Sequence, residues 1–313
     1  MAGEKLGRHI DLSSPRGYYL DYSHLAGSGT ECDDKGVPVV RVRGGGKVCS
    51  PPLIARAALG QLEHYLESGN TERRERFRCL SRWLVDGMEV LPGSFGGWSM
   101  PEVPRALRRE LPQGWFSASA HAECVAVLVR AASLLRQDGA LETARRAVGA
   151  FHCSVEDGGF LREIGEAGAE GSVESLAFIE EFPVAGAPRM VLSSHVKAMW
   201  ALFDYLNVDE DPGVRALFNR CVGGLIFALD RFDLGYWTCA HLDGRRIRPA
   251  DFERHGTHVL MMDVLHQMTG NETFEASARR WRGYAQGSRN RARARFERAR
   301  TALANTGAPV APE

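Results

Sequence analysis

The chain has 313 residues, of which 44% are hydrophobic, 25% charged and 9% aromatic, enough for one large or two small folded domains and too apolar for a mainly disordered chain. Lys plus Arg and Asp plus Glu both number 39, which leaves no net field to draw it to nucleic acid or an anionic membrane. No apolar run approaches the ~20 residues of a bilayer-spanning helix, and the N-terminus lacks the layout of a secretion signal, so the expected location is cytoplasmic.

In chain order, the spacing of apolar residues predicts eight amphipathic helices. The first opens at Ser50-Pro51-Pro52, where Ser suits the cap and Pro the first turn, and ends at Gly69. The second covers about Thr71 to Gly87, the third Ser117 to Gln137 and the fourth Leu141 to Phe151. A fifth runs from Val191 to Leu206 and a sixth from Pro212 to Asp230. The seventh begins near Thr257, and the eighth begins near Glu272 and continues into the arginine-rich run 289–300. Short strands are expected at Val37 to Val42, Ser175 to Ile179 and Tyr236 to Ala240. Seven dispersed cysteines without a CxxC pair read as buried free thiols.

The connections alternate in length. Only a few residues separate helices one and two, three and four, five and six, and seven and eight, so each pair is an antiparallel hairpin. The segments before the first helix, and at about 89–116, 152–190 and 231–256, are long. Antiparallel hairpins put all of them at one end. The expected fold is mainly α, an α/α toroid or partial barrel of about four helical hairpins, with short β-hairpins in a loop layer. A plain solenoid would have short loops at both ends. Residues 1–49 read as an extended N-terminal segment on the ring, 50–288 as the helical domain, and 289–313 as a basic helix end followed by a disordered tail from Ala308.

The unusual residues gather in that layer: Gly17 to Tyr22, Gly44-Gly45-Gly46, Gly96-Gly97-Trp98, Gly114-Trp115-Phe116, Glu180-Glu181-Phe182-Pro183, Gly235-Tyr236-Trp237 and His255-Gly256-Thr257-His258. Aromatic residues beside glycines suit sugar platforms and suit loop packing equally. In their order along the chain, Gly36-Val37-Pro38, Gly96-Gly97-Trp98, Gly114-Trp115-Phe116-Ser117-Ala118, the Glu180 to Pro183 run, the His255 to His258 run and Arg280-Trp281 with Tyr284 resemble motifs of the D-glucuronyl C5-epimerases. That family inverts C5 of D-glucuronate. The resemblance implies an α/α barrel, a homodimer and a catalytic role for Glu181. It also shows departures. The family's Tyr after the Glu pair is Phe182 here, a second falls near Thr238, a third is replaced by Arg254, and the first helix carries Leu53, Arg56 and Ala57 where the family has two Gln and a Tyr.

Inversion at a carbon next to a carboxylate requires two acid/base groups and a clamp for the developing charge. The expected catalytic residues are Glu181, Tyr236 and His255. The expected substrate-binding residues are Arg254, His258, Glu180, Trp98, Tyr19, His121, His241 and Arg56, with Arg254 placed for bidentate contact to a carboxylate. Glu180 and Glu181 also suit an ion pair with Arg189 or a helix cap. No third ligand stands at a spacing matched to His255 and His258, so no metal is expected, nor any cofactor. The function expected is a cofactor-independent isomerase of the uronyl C5-epimerase type acting on a small or carrier-linked uronate or other carboxylate. A cyclase on the same scaffold, a lyase, and a non-catalytic ligand binder are the alternatives.

Overall fold

The computed structural model describes residues 4–27, 29–90, 95–165, 175–186, 188–242 and 248–306. Among these, nine α-helices alternate with three two-stranded antiparallel sheets. The helices are α1 (Pro51–Ser68), α2 (Thr71–Asp86), α3 (Ala118–Leu135), α4 (Ala140–His152), α5 (Leu192–Leu206), α6 (Pro212–Phe232), α7 (Phe252–Thr269), α8 (Glu272–Gln286) and α9 (Ser288–Thr306). The strand pairs are β1 (Val39–Arg41) with β2 (Lys47–Cys49), β3 (Glu89–Val90) with β4 (Gly96–Gly97), and β5 (Leu161–Ile164) with β6 (Leu176–Ile179).

Local chemistry explains most boundaries. Pro51 and Pro52 occupy the first turn of α1, and Gly69 ends it in the left-handed region at φ 68° with its N–H on the Tyr65 carbonyl. Asn70 and Asn271 cap α2 and α8 through their side chains. Two boundaries differ from expectation. Helix α7 starts five residues early because Asp251 accepts the Arg254 N–H and caps it there. The expected single last helix is two, because Gly287 adopts extended backbone between α8 and α9. The Tyr236 to Ala240 segment is not a strand but is held by isolated bridges, Asp233 to Thr238 and Cys239 to Pro249. Of the seven free cysteines, Cys124, Cys221 and Cys239 are buried, whereas Cys79 is exposed. The expected tail from Ala308 lies outside the described residues.

The chain divides into two compact units. The N-terminal unit comprises Leu6–Gly186 and Ser194–Leu225, and the C-terminal unit comprises Met1–Lys5, Ala187–Ser193 and Ile226–Glu313. In the C-terminal unit α7 packs on α8 and α8 on α9, around Trp237 and Trp281, both with 0% exposure. In the N-terminal unit α1 packs on α2 and α3, and α3 on α4.

Helix α3 is long and apolar enough to cross a membrane by length and composition alone, a run the sequence pattern did not single out. It is a core helix: every residue from Ala120 to Ala131 is buried, so its amphipathic stripe has closed into a full circle. Three long connectors of this unit meet one another. The Arg43 N–H, beyond β1, donates to Glu102 at 2.9 Å, and the Trp115 ring lies 5.4 Å from that of Phe182. The loops before α1, before α3 and before α5 therefore form one continuous layer.

The N-terminal segment enters the unit through close backbone approaches. A Cβ on Gly60, in the middle of α1, would stand 2.3 Å from the Tyr22 carbonyl oxygen. Gly60→Ala should therefore lower the thermal midpoint by several degrees, although Ala is the better helix former by about 1 kcal/mol. An unchanged or raised midpoint in a thermal scan would show that the Tyr22 segment is not pinned to α1.

Candidate active site

Two layers of buried charge cross the N-terminal unit. Arg56, Glu123 and Lys197 each stand five residues after the first residue of their helices (51 to 56 in α1, 118 to 123 in α3, 192 to 197 in α5). They meet. Arg56 Nε donates to Glu123 Oε2 at 2.8 Å, and Lys197 Nζ donates to Glu123 Oε1 at 2.6 Å. Tyr22, from the N-terminal segment, donates its hydroxyl to Glu123 Oε1 at 2.8 Å, and Lys197 Nζ lies 3.5 Å from that phenol oxygen.

Seven residues further along α3 and α5, or about 10.5 Å along a helix axis, the polarity is exchanged. Arg130 of α3 donates to Asp204 of α5 at 2.6 Å and to the Gly17 carbonyl at 2.6 Å, while Tyr19 donates to Asp204 at 2.7 Å. Both side chains of that pair are 1% exposed. Each helix thus carries one cation and one carboxylate on one face, in opposite order, which fixes the register of α3 against α5.

Electrostatics separates the two layers. Burial alone would raise the Glu123 carboxyl, but Arg56, Lys197 and the hydrogen bonds from Lys197 and Tyr22 outweigh it and hold it below its ordinary range. Asp204 is raised, because burial outweighs the help of Arg130 and Tyr19. Among the described contacts, the Glu123 carboxylate is met by two cations, and the Arg56 side chain, 36% exposed, brings the layer within reach of solvent. The Arg130 layer is closed and balanced.

The residues expected from sequence are distributed as follows. Arg56 is in the open layer and Tyr19 in the closed one. Glu181 is at the start of α3, where its carboxylate accepts the Ser117 hydroxyl at 2.5 Å and the Ser119 N–H at 2.9 Å. It caps a helix. Glu180 pairs with Arg162 at 3.0 Å. Trp98 donates its ring N–H to the Leu84 carbonyl at 2.9 Å, and its ring lies 5.3 Å from that of His121, which hydrogen-bonds the Ala147 carbonyl at 2.8 Å. These six residues all belong to the N-terminal unit.

Tyr236, His241, Arg254, His255 and His258 belong to the C-terminal unit. The Arg293 guanidinium covers the Tyr236 ring at 3.9 Å, and burial raises the Tyr236 phenol above its ordinary value, partly offset by Arg293. His241 bridges to Val191. Arg254 is exposed in the first turn of α7. His255 and His258 both place Nδ1 2.9 Å from the Thr238 hydroxyl, and His255 Nε2 lies 3.0 Å from the Trp281 carbonyl. That carbonyl can only accept, so neutral His255 carries its proton on Nε2. Its Nδ1 then accepts from Thr238, and the Thr238 oxygen accepts from His258 Nδ1–H. The two histidines are linked through Thr238. Among the described residues no group of three His, Cys, Asp or Glu is placed to hold a metal ion.

None of Lys197, Asp204, Arg130, Glu123 and Tyr22 is among the site residues expected from the sequence, and Tyr22 entered only as part of the loop layer. The signal was present as opposite charges seven residues apart in two otherwise apolar helices, Glu123 with Arg130 and Lys197 with Asp204. A charge on the apolar side of a core helix requires a partner on a neighbouring one.

Comparison with known proteins decides the ancestry. The family described as D-glucuronyl C5-epimerase C-terminus matches residues 93–283, more than half of the chain. The chain belongs to the D-glucuronyl C5-epimerase family. It is 28% identical over 241 residues to D-glucuronyl C5-epimerase of Caenorhabditis elegans, a match that covers 70% of this chain and 37% of that protein, so the chain spans well under half of its relative. Among solved structures, cellobiose 2-epimerase from Bacillus thermoamylovorans is similar with a TM-score of 0.58 at 10% identity, over 84% of this chain and 68% of that one. A sugar epimerase from a ruminal bacterium is similar with a TM-score of 0.58 at 11% identity, over 91% of this chain and 79% of that one. These likenesses establish the fold class of this family member as mainly α, of the α/α barrel type, with a few short strand pairs.

Burial depresses His121, His195 and His255 to about 4 and His258 to about 3, from an ordinary value of 6.5. The unfolded chain binds these protons at higher pH than the folded one. Their stabilising effect is therefore complete above about pH 6.5 and is lost as pH falls toward 4. The urea midpoint should drop markedly between pH 7.5 and pH 5. A midpoint that stays level over that interval would contradict the neutral, buried state of these rings.

Proposed function

We propose that this protein is an epimerase-type isomerase that moves a proton at a carbon next to a carboxylate, with the Glu123 layer as its centre. The observation that carries the reading is the meeting of two cations and one carboxylate, at the same depth on three helices, with a phenol from the N-terminal segment, one cation being within reach of solvent. Epimerase relatives and structural neighbours support the reaction class.

In this reading Arg56 and Lys197 receive the substrate carboxylate. When the neighbouring C–H bond breaks, negative charge spreads onto that carboxylate as an enediolate, and the two cations oppose it. Tyr22 passes its phenol proton to Glu123, to which it is hydrogen-bonded, and takes the proton from the carbon. Water on the solvent-facing Arg56 side gives a proton to the other face, and the proton held by Glu123 returns to that hydroxide, which completes inversion. One C–H bond is broken and one formed, no electrons are transferred, and the reaction needs no redox group. The substrate is a uronate or another hydroxylated carboxylate, free or linked to a carrier.

Tyr22 is preferred to Glu181 as proton carrier because its hydroxyl is bonded to a carboxylate that can accept its proton, whereas the Glu181 carboxylate accepts from Ser117 and Ser119 at the start of α3. A second reading, a binder that has lost turnover, draws on the same fact. Phe182 and Thr238 stand at or near positions where the resemblance to the family implies phenols, and Glu181 and His255 both have protein partners at their polar atoms.

Incubation with a D-glucuronate oligosaccharide in deuterated water separates the two. The isomerase incorporates one deuterium at C5, visible by mass spectrometry. Tyr22→Phe and Lys197→Met should each slow incorporation by roughly 10²-fold or more. Loss of exchange in Glu181→Gln with full exchange in Tyr22→Phe returns the proton transfer to Glu181. Binding without exchange in the unaltered protein supports the binder.

A further inference from the structure

Two hydrogen-bonding groups between the Glu123 and Arg130 layers have no hydrogen-bond partner among the described residues. Tyr18 Oη and Trp200 Nε1 are both enclosed, with Tyr18 3% and Trp200 0% exposed. They are neighbours: the rings meet edge to face at 6.1 Å and 87°. Tyr18 also stacks on Tyr22, the phenol bonded to Glu123, at 5.8 Å and 23°. The Arg130 guanidinium lies 5.3 Å from the centre of the Tyr18 ring.

An enclosed donor with no partner loses its hydration and gains nothing from the protein. The neighbouring Tyr19 shows the alternative, since its hydroxyl is bonded to Asp204 at 2.7 Å. Tyr18 has two carboxylates near enough to act on its phenol, Glu123 and Asp204, and bonds to neither. An uncompensated cost on two adjacent side chains, next to the layer proposed to take a carboxylate, matches groups reserved for a ligand.

We infer that Tyr18 and Trp200 form a specificity subsite for an oxygen of the ligand, a hydroxyl or ring oxygen that accepts from the indole N–H and exchanges a hydrogen bond with the phenol. Arg56 and Lys197 take the carboxylate, and Tyr18 with Trp200 take an oxygen on the same molecule. The ligand class is a polyhydroxylated carboxylate, not a simple carboxylic acid. This inference rests on the reading of the Glu123 layer as the ligand site.

The test joins stability to affinity. Removing a hydroxyl that serves only a ligand should leave the thermal midpoint of the ligand-free protein unchanged or higher, whereas removing one that serves the fold should lower it. Tyr18→Phe is expected to keep or raise the midpoint and to weaken binding of methyl β-D-glucuronide at least fivefold by calorimetry. Binding of acetate, which lacks the hydroxyls, should be unaffected. In the unaltered protein the indole N–H signal that disappears in Trp200→Phe should shift when the glucuronide is added. A midpoint lowered by several degrees in Tyr18→Phe, or an unmoved indole signal at saturating glucuronide, overturns the subsite. Glucuronide binding weakened by Arg56→Met but not by Tyr18→Phe removes the subsite and leaves the Glu123 layer standing. Absence of glucuronide binding at millimolar concentration in the unaltered protein removes both.

Discussion

The N-terminal unit is organised around a single constraint, that a carboxylate removed from water must be met by cations and hydrogen bonds from other parts of the chain. Glu123 is 0% exposed and draws partners from α1, α5 and the N-terminal segment. Asp204 does the same with α3 and that segment. Because α3 and α5 carry these charges in opposite order at equal spacing, sliding one helix by two turns would set Glu123 against Asp204. The register is held by repulsion as well as attraction. Gly60 lets the N-terminal segment lie close enough to deliver Tyr22.

Both layers use the same residue types, and the proposed site is in only one of them. In the Arg130 layer, charges balance and the guanidinium is spent on Asp204, the Gly17 carbonyl and the Ala126 carbonyl. Such an arrangement holds a fold and leaves nothing for a ligand. In the Glu123 layer two cations meet the carboxylate and one of them reaches solvent. The proposed chemistry at a carboxylate rests on these two cations and on the enclosed phenols beside them.

Phe182, Thr238 and Arg254, at or near which the resemblance to the family implies tyrosines, each have local partners. Phe182 packs on Trp115, Thr238 links two neutral histidines, and Arg254 lies exposed in the first turn of α7, its N–H bonded to the capping Asp251. The N-terminal segment carries two phenols to buried carboxylates, Tyr22 to Glu123 and Tyr19 to Asp204. The scaffold is inherited, and the proposed proton carrier comes from a different part of the chain.

The sequence by itself determined the first seven helices, most of their ends, the family and the pairing of α1 with α2, α3 with α4 and α7 with α8, since caps, glycine stops and three-to-four periodicity are local signals spread over short stretches. It also marked Arg56 as a departure in the first helix. Only the tertiary structure decided which charges meet. Glu181 and Glu123 are both glutamates near the start of a helical region, and nothing local says that one caps α3 while the other sits between two cations. That distinction depends on residues 22, 56, 117 and 197, which are far apart along the chain and are brought together by packing. Opposite charges placed seven residues apart in α3 and α5 were visible in the sequence, but their meaning required knowing that those two helices face each other.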